Sequence, residues 1–168
     1  NAPYLQIIYI GQNGGYTDNA DLIRMHRLMI EHSNAAHTII LGLYSQGKNY
    51  ALNICIDAHN CRLNLTTHTK PNPLVAPNFC MLLRKYLTSS RITNIESVDL
   101  DRIIFIDFEG SNELKDTVKY RLVIELMGRR SNVILLNHKG FIIDSLKHII
   151  TSDREILPAR PYIAPMSN

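Results

Sequence analysis

The sequence lacks any apolar stretch long enough to cross a membrane. Its longest uncharged apolar stretches, such as residues 38–45 and 133–137, fall far short of the roughly 20 residues that a spanning helix needs. It also lacks a basic segment leading into an apolar one at its start, so we expect no signal peptide. We therefore predict a cytoplasmic protein without membrane contact.

Cysteine is scarce, and its spacing is not that of a metal or redox site. The chain contains only Cys55, Cys61 and Cys80, an odd number without a C-x-x-C pair. All three lie in apolar segments, which predicts reduced thiols in the core of a cytosolic protein. A zinc site could combine Cys61 with His59, but two further ligands at suitable spacing are missing. We predict no metal and no other cofactor.

Catalytic signatures are missing as well. The sequence has no G-x-S-x-G, no P-loop and no paired-carboxylate motif, which predicts a binding module rather than an enzyme. A strong excess of positive charge is also absent. The net charge of +3 and the pI of about 8.8 are too weakly basic to indicate nucleic-acid binding on their own.

Apolar residues are plentiful and evenly spread. With 45% hydrophobic residues in 168, the chain can bury one core, so a single domain is expected. Short apolar runs separated by turn residues predict strands. The predicted strands cover residues 4–10, 38–44, 49–57, 62–66, 91–98, 102–109, 118–127, 132–137 and 141–150.

Two segments show the spacing of an amphipathic helix. One is residues 18–32, where Leu22, Met25, Leu28 and Met29 recur every three or four positions. The other begins near Asn78 and places its apolar residues on one face. The strand at 141–150 also fits helical spacing in part. We therefore predict an α+β fold, an antiparallel β-sandwich-like domain with two or more helices.

Two strands differ in how many faces they bury. Residues 102–109 are apolar on both faces, as in a covered central strand. Residues 118–126 alternate instead, which predicts one side facing solvent or a ligand, with Lys119, Arg121 and Glu125 outward. The residues predicted to be buried are Phe79, Leu82, Leu83, Ile104, Ile106, Phe108, Leu122 and Ile124.

Four motifs resemble those of one protein family. They read NPL with APNFCMLLRK at 72–85, LDRII at 100–104, ELMGRRSNVIL at 125–135 and REILPARPY at 154–162. Their order and spacing resemble the N-terminal domain of the NFACT ribosome quality-control family (RqcH and NEMF), formerly called fibronectin-binding proteins. We predict a family-like domain at 38–157, preceded by a non-matching segment at 1–37 and followed by a Pro-rich linker at 158–168.

The resemblance implies a fold and a function. The family's N-terminal domain is similar to that of formamidopyrimidine-DNA glycosylases, without their chemistry. Family members bind stalled large ribosomal subunits that carry peptidyl-tRNA and recruit charged tRNA, alanyl-tRNA in bacteria, for C-terminal tailing of nascent chains. The rival hypotheses are an adhesin-type protein that binds fibronectin, from the older name, and a glycosylase-like nucleic-acid enzyme.

The resemblance also implies a tRNA contact at Asp101 and Arg102. A guanidinium offers a planar donor fork suited to phosphates or base edges, and an adjacent carboxylate can orient it. Neighbouring residues on a strand point to opposite faces, so we expect the pair exposed at a strand end. We expect it near Glu125 or the loop at Arg129 and Arg130. The alternative is a turn-capping Asp and an Arg in a surface ion pair.

Further RNA contacts are predicted around this pair. Arg129, Arg130, Ser131 and Asn132 follow Gly128 and could clamp a phosphate backbone, unless the last two only satisfy local backbone groups. Glu125 could accept from a ribose hydroxyl or pair with Arg102 or Arg121. On the second helix, Arg84 and Lys85 could form a phosphate patch with Arg91, or simply a solvated face.

Overall fold

The computed structural model describes residues 5–10, 16–23, 27–32, 38–45, 48–56, 61–66, 78–98 and 102–165. Within these ranges one α-helix, α1 (Asn78–Leu87), and one 3-10 turn (Gly128–Arg130) accompany the strands. The strands are β1 (Leu5–Ile10), β2 (Tyr16–Ile23), β3 (Arg27–His32), β4 (Thr38–Ser45), β5 (Lys48–Cys55), β6 (Arg62–Thr66), β7 (Arg91–Val98), β8 (Ile103–Ser111), β9 (Thr117–Glu125), β10 (Asn132–Asn137), β11 (Ile142–Ser145), β12 (Ile149–Ile150) and β13 (Glu155–Ile156).

The strands form two main antiparallel sheets. Sheet A has the order β2-β1-β6-β5-β4-β3, sheet B has the order β11-β10-β9-β8-β7, and β12 pairs with β13 separately. Each strand of sheet B pairs with the next one along the chain, as in a meander. The prediction of a small α+β domain built mostly from antiparallel strands is confirmed.

One hydrophobic core joins the two sheets and the helix. It contains Leu41 and Ile54 of sheet A, Leu83 of α1, and Ile106 and Leu122 of sheet B. Seven of the eight residues predicted to be buried are at most 5% exposed, and the eighth, Leu82, packs partly buried against the same core. The helical spacing after Asn78 therefore predicted the buried face of α1 correctly.

The other face of sheet B is covered by the chain that follows β11. Ile103, Val123 and Ile134 form a second apolar cluster with Ile156, against which Tyr162 packs. This confirms that both faces of β8 are covered. The prediction of a solvent-facing side on residues 118–126 is wrong toward its end, because the returning chain buries Val123 and Glu125 completely.

The prediction of a helix at residues 18–32 is wrong. The segment contains strands β2 and β3, which pair with β1 and β4 respectively. The sequence of β3 also fits a two-residue period, because the apolar residues Leu28 and Ile30 are two positions apart. Helix and strand periods cannot be distinguished over so few residues, and pairing with a distant strand decides between them.

The prediction of two or more helices is also corrected. Residues 141–150 contain β11 and β12 without a helix. The two strands are separated at residues 146–148, where the Asn132 side chain bonds the backbone of Lys147. Leu146 and Ile149 therefore serve different apolar clusters rather than one helical stripe.

The three cysteines lie where the sequence predicts, in the core. Cys55, Cys61 and Cys80 form no disulfide with one another and are at most 6% exposed. Burial raises the pKa of the Cys80 thiol, which keeps it protonated and unreactive. His59, the partner considered for a zinc site with Cys61, lies outside the described residues.

Candidate nucleic-acid interface

Positive side chains gather at one end of sheet B. The Leu126 amide donates to the Arg102 carbonyl at 2.8 Å, which places Arg102 beside the connection from β9 to β10. That connection contains Arg129 and Arg130, and all three arginines are exposed. The prediction that Arg102 lies exposed at a strand end near the Arg129 loop is confirmed. Asp101 lies outside the described residues.

The turn that carries the two arginines is fixed by local hydrogen bonds. Gly128 has a φ of 58°, a left-handed conformation that favours glycine. The Met127 amide donates to Ser131 Oγ at 2.8 Å, and the Ser131 amide donates to the Gly128 carbonyl at 3.2 Å. Arg129 and Arg130 are thus displayed on a turn whose backbone is tied at both ends.

Asn132 links this turn to the segment after β11. Its Nδ2 donates to the Lys147 carbonyl at 2.9 Å, and its Oδ1 accepts from the Lys147 amide at 2.9 Å. Ser131 and Asn132 are both 0% exposed. The alternative in which they satisfy backbone groups is therefore confirmed, and the expectation of direct phosphate contacts is corrected because neither presents an accessible atom.

Lys147 is a fourth cation at this end that sequence reasoning missed. Its Nζ donates to the Arg129 carbonyl at 3.4 Å. No motif or spacing marks it, because it is brought here by Asn132 across the fold. We call Arg102, Arg129, Arg130 and Lys147 the cationic edge.

Glu125 lies directly behind the cationic edge in a buried ion pair. It is 0% exposed, and its Oε1 and Oε2 accept from Arg154 Nη1 at 3.2 Å and Nη2 at 2.8 Å. The Tyr162 hydroxyl donates to Glu125 Oε2 at 2.6 Å. The expected partners Arg102 and Arg121 are wrong, since Arg121 binds Asp107 at 2.7 Å instead. A direct ribose contact is likewise corrected, as no carboxylate oxygen is accessible.

The buried pair holds the chain after β13 against sheet B. Arg154 and Tyr162 belong to the fourth family-like motif and reach Glu125 of the third. The Arg154 guanidinium also lies 5.8 Å from the centre of the Tyr162 ring. Residues 159–162 are bonded to β11 and its preceding turn, so the packed part of the chain extends through Tyr162. The start of the linker at 158 stays a prediction.

Tyr162 predicts a loss of stability at alkaline pH. Burial, followed by the negative charge of Glu125, raises the pKa of the Tyr162 phenol. The unfolded chain releases this proton near pH 10, about the ordinary value, whereas the folded chain retains it. Stability should therefore be fully present below about pH 10 and fall as the pH rises further.

The check is urea unfolding of the chain and of Tyr162→Phe across this pH range. The variant should lose stability less steeply above about pH 10. Some dependence should remain, because burial also raises the pKa of Tyr120. Equal slopes for the two proteins would contradict the buried, protonated phenol.

The predicted patch on α1 lies elsewhere. Arg84 and Lys85 are exposed, and Lys85 Nζ lies 5.4 Å from the centre of the Tyr86 ring. Tyr86 contacts Tyr120, five residues before Glu125 on β9, which is about 16 Å along the strand. The structure therefore places Lys85 toward the opposite end of sheet B from the cationic edge. Its RNA contact and that of Arg84 stay predictions.

Across the described ranges, no group of three or more His, Cys, Asp or Glu side chains is arranged to hold a metal ion. No described helix is long and apolar enough to span a membrane.

The comparisons with known proteins agree on one family. The profile of NFACT N-terminal and middle domains matches residues 25–168, which begins before the predicted start at residue 38. The Rqc2 homolog RqcH of Bacillus subtilis is 36% identical over 138 residues, covering 80% of this chain and 24% of that protein. Ribosome quality control complex subunit 2 of Saccharomyces cerevisiae is 29% identical over 105 residues, covering 62% of this chain and 9% of that protein.

A solved structure shows the same fold. The N-terminal domain of fibronectin-binding protein PavA from Streptococcus pneumoniae superposes with a TM-score of 0.81 at 32% identity. The match covers 88% of this chain and 57% of that one. The chain spans about a quarter of the length of the bacterial curated relatives that it matches.

Proposed function

Because the chain belongs to the family of NFACT N-terminal and middle domains, we propose that it is the RNA-binding module of a ribosome quality-control factor. In this proposal the factor binds stalled large ribosomal subunits that carry peptidyl-tRNA. It recruits a charged tRNA, alanyl-tRNA in bacteria, for C-terminal tailing of nascent chains in the cytoplasm. A yeast relative is named as a ribosome quality control complex subunit, which supports the process.

The observation that carries the proposal is the cationic edge. Arg102, Arg129 and Arg130 are exposed on neighbouring backbone segments tied together by hydrogen bonds. Guanidiniums held in this way can make bidentate bonds to phosphates or base edges with little further ordering. Lys147 adds a point charge at the same place. We propose that Asp101, next to Arg102, completes this tRNA contact.

Glu125 has a positioning role in this proposal. Its carboxylate bonds Arg154 and Tyr162 and so holds the returning chain behind the turn of Arg129. Ser131 accepts from the Met127 amide and so fixes the turn. Asn132 accepts from the Lys147 amide and so fixes the position of that residue. These three residues of the predicted site therefore support the RNA contact through the backbone.

Binding without catalysis is part of the proposal. The carboxylate of Glu125, behind the cationic edge, has both oxygens bonded and no solvent exposure, so it is poorly placed to transfer a proton to a substrate. The likeness to formamidopyrimidine-DNA glycosylases stays a prediction. Fibronectin binding rests on the names of relatives such as PavA, and a fibronectin-binding assay of the purified protein tests it.

Arg102→Ala should weaken RNA binding with little effect on folding. The side chain is exposed, so its loss opens no cavity and stability should change by about 0.5 kcal/mol or less. Binding of aminoacyl-tRNA by the full-length protein should weaken by about 1 to 3 kcal/mol if the guanidinium contacts base edges. Loss of a phosphate contact alone would give a shallower salt dependence and unchanged tRNA preference. Filter binding of several tRNAs at two salt concentrations measures both.

Arg160→Ala is the matched control. Arg160 is an exposed arginine whose backbone bonds β11 at the other end of sheet B, and its loss removes the same charge. Its effect on tRNA affinity should be small. Equal weakening by the two variants would mean that only the net charge of the protein matters for tRNA binding. Unchanged binding by Arg102→Ala would show that the cationic edge does not contact tRNA.

Cross-linking of the full-length protein in cells tests the function as a whole. Recovery of tRNA and large-subunit ribosomal RNA is expected. Recovery of neither would refute the proposal, and saturable binding of fibronectin by the purified protein in place of RNA would favour the adhesin hypothesis. Base release from damaged DNA would favour the enzyme.

A further inference from the structure

A notch interrupts sheet B at the end opposite the cationic edge. The last pair between β10 and β9 joins Asn137 to Tyr120, whereas β9 begins at Thr117. Among the described strands, residues 117–119 therefore pair only with β8. A groove of about 710 Å³ opens at this point, lined by Tyr86, Tyr120, Lys119 and His138.

A second hollow of about 670 Å³ adjoins the groove and extends the notch toward Lys139. Lys119, Tyr120 and His138 line both hollows, so the two meet at the start of β9. We call Tyr86, Lys119, Tyr120, His138 and Lys139 the notch residues.

Two tyrosines form the apolar wall of the notch. The rings of Tyr86 and Tyr120 meet edge to face, with centres 5.3 Å apart at 70°. Both are partly buried against the core, which restrains their orientation. Lys85 Nζ lies 5.4 Å from the Tyr86 ring centre. A ring pair fixed in this way offers a preformed platform for another planar group.

The opposite wall is cationic and rigidly presented. Asn137 Oδ1 accepts from the amides of Lys139 and Phe141 at 2.9 and 3.0 Å, which closes the turn between β10 and β11. Gly140 adopts a φ of 85° in this turn. His138 and Lys139 are consequently exposed on a short, internally bonded loop.

Acidic groups near the notch are partly neutralised. Asp107 is bound by Arg121 at 2.7 Å, and Glu109 lies opposite Lys119 in the pairing of β8 with β9. Lys85 is exposed beside the Tyr86 ring, and Lys139 is exposed where it lines the second hollow together with Tyr120. The notch therefore combines aromatic faces with positive charge, the pairing that recognises unpaired nucleotides.

We propose that the notch is a second RNA-binding site, which takes an unpaired nucleotide from a single strand or loop. The base packs against Tyr86 and Tyr120, and Lys119 and Lys139 contact the adjoining phosphates. An aromatic platform accepts any base, so this site contributes affinity with little sequence preference. It goes beyond the cationic edge and relies on the proposed function only for the class of partner.

Charge reversal of Lys139 tests the phosphate contact. The probe is a fluorescein-labelled single-stranded oligoadenylate of about 12 nucleotides, a length suited to one binding surface. Its affinity for the 168-residue chain is followed by anisotropy over a series of salt concentrations. Lys139→Glu should weaken binding about fivefold or more, and the slope of log K against log salt should become shallower by about 0.7.

Lys115→Glu is the matched control. Lys115 is an exposed lysine in the turn before β9, at the same end of sheet B, but it does not line the notch. The net charge changes equally, so its affinity should stay within about twofold. Equal weakening by the two variants, or an affinity that Lys139→Glu leaves unchanged, overturns the proposal.

Substitution of Tyr86 tests stacking. Tyr86→Phe keeps the ring and should bind as the unchanged chain does, whereas Tyr86→Leu removes it and should weaken binding about fivefold or more. Circular dichroism confirms that both are folded. Equal affinity of the two variants overturns the stacking contact.

A photo-crosslinker at position 139 of the full-length protein identifies the partner. RNA adducts are expected, and capture of a ribosomal protein without RNA overturns the assignment. These outcomes are separable from those of the cationic edge. Normal tRNA binding by Arg102→Ala would refute a tRNA contact at the cationic edge without affecting the Lys139 result. Unchanged oligoadenylate binding by Lys139→Glu would refute the notch site without affecting the Arg102 result.

Discussion

Replacing Arg154 with alanine is expected to destabilise the chain by about 3 to 5 kcal/mol, because it leaves the carboxylate of Glu125 buried without its counter-ion. Glu125 is 0% exposed and Arg154 only 11%. Both carboxylate oxygens lose a charge-assisted hydrogen bond, and only the Tyr162 hydroxyl remains to compensate. Urea unfolding at neutral pH, followed by circular dichroism, measures the loss.

A double variant distinguishes the ion pair from the packing around it. Glu125→Gln with Arg154→Met removes both charges and keeps most of the volume, and it should recover much of the stability. Recovery is favoured because Nε of Arg154 is buried without a partner in the described structure, so the pair is incompletely satisfied. A single variant as stable as the original chain would show that the pair is open to water.

The double variant also tests the positioning role. If the pair acts through the returning chain, tRNA affinity should fall in the double variant even where stability is restored. Arg154→Lys is a milder comparison, since it keeps the charge but loses the two parallel bonds that orient the segment. Unchanged tRNA affinity in a stable double variant would show that Glu125 contributes to folding stability and not to RNA binding.

Truncation of Ile106 to alanine should cost about 2 to 5 kcal/mol, the range for a large aliphatic side chain removed from a closed core. Ile106 is 0% exposed at the centre of β8, paired with Ile95 of β7 and Leu122 of β9. Strands on both sides hold these neighbours in place, which limits collapse into the cavity. Thermal and urea unfolding give the magnitude.

Ile150→Ala is the control for the same chemical change. Ile150 is 73% exposed on the short strand β12, so its truncation should cost well under about 1 kcal/mol. A similar loss at both positions would mean that the core between the two sheets is loosely packed. The tRNA affinity of folded Ile106→Ala should be unchanged, because the residue lies away from both cationic surfaces.

The cationic edge and the notch lie at opposite ends of one strand. Glu125 ends β9 behind the first, and Lys119 and Tyr120 stand near its start at the second. Sheet B is rigidly packed on both faces, so it holds the two surfaces at a fixed separation. A structured RNA could contact both at once, which would raise affinity through effective concentration.

The sequence determined the elements whose signals are local. The helix after Asn78 followed from apolar residues at a 3.6-residue period, and the hairpin of β4 and β5 from two β-prone runs around Gly47. The exposed strand end at Arg102 also followed, because adjacent strand residues point to opposite faces and can share one surface only near a strand end. The order of four motifs indicated the family from the sequence alone.

Only the tertiary structure decided which polar residues face solvent. Glu125 alternates with apolar neighbours like any outward residue, yet the chain 29 positions later returns to bury it with Arg154. Lys147 reaches Arg129 from 18 positions away, and β3 became a strand because β4 pairs with it. Local periodicity carries no information on such distant partners, since burial depends on what the folded chain brings back over a surface.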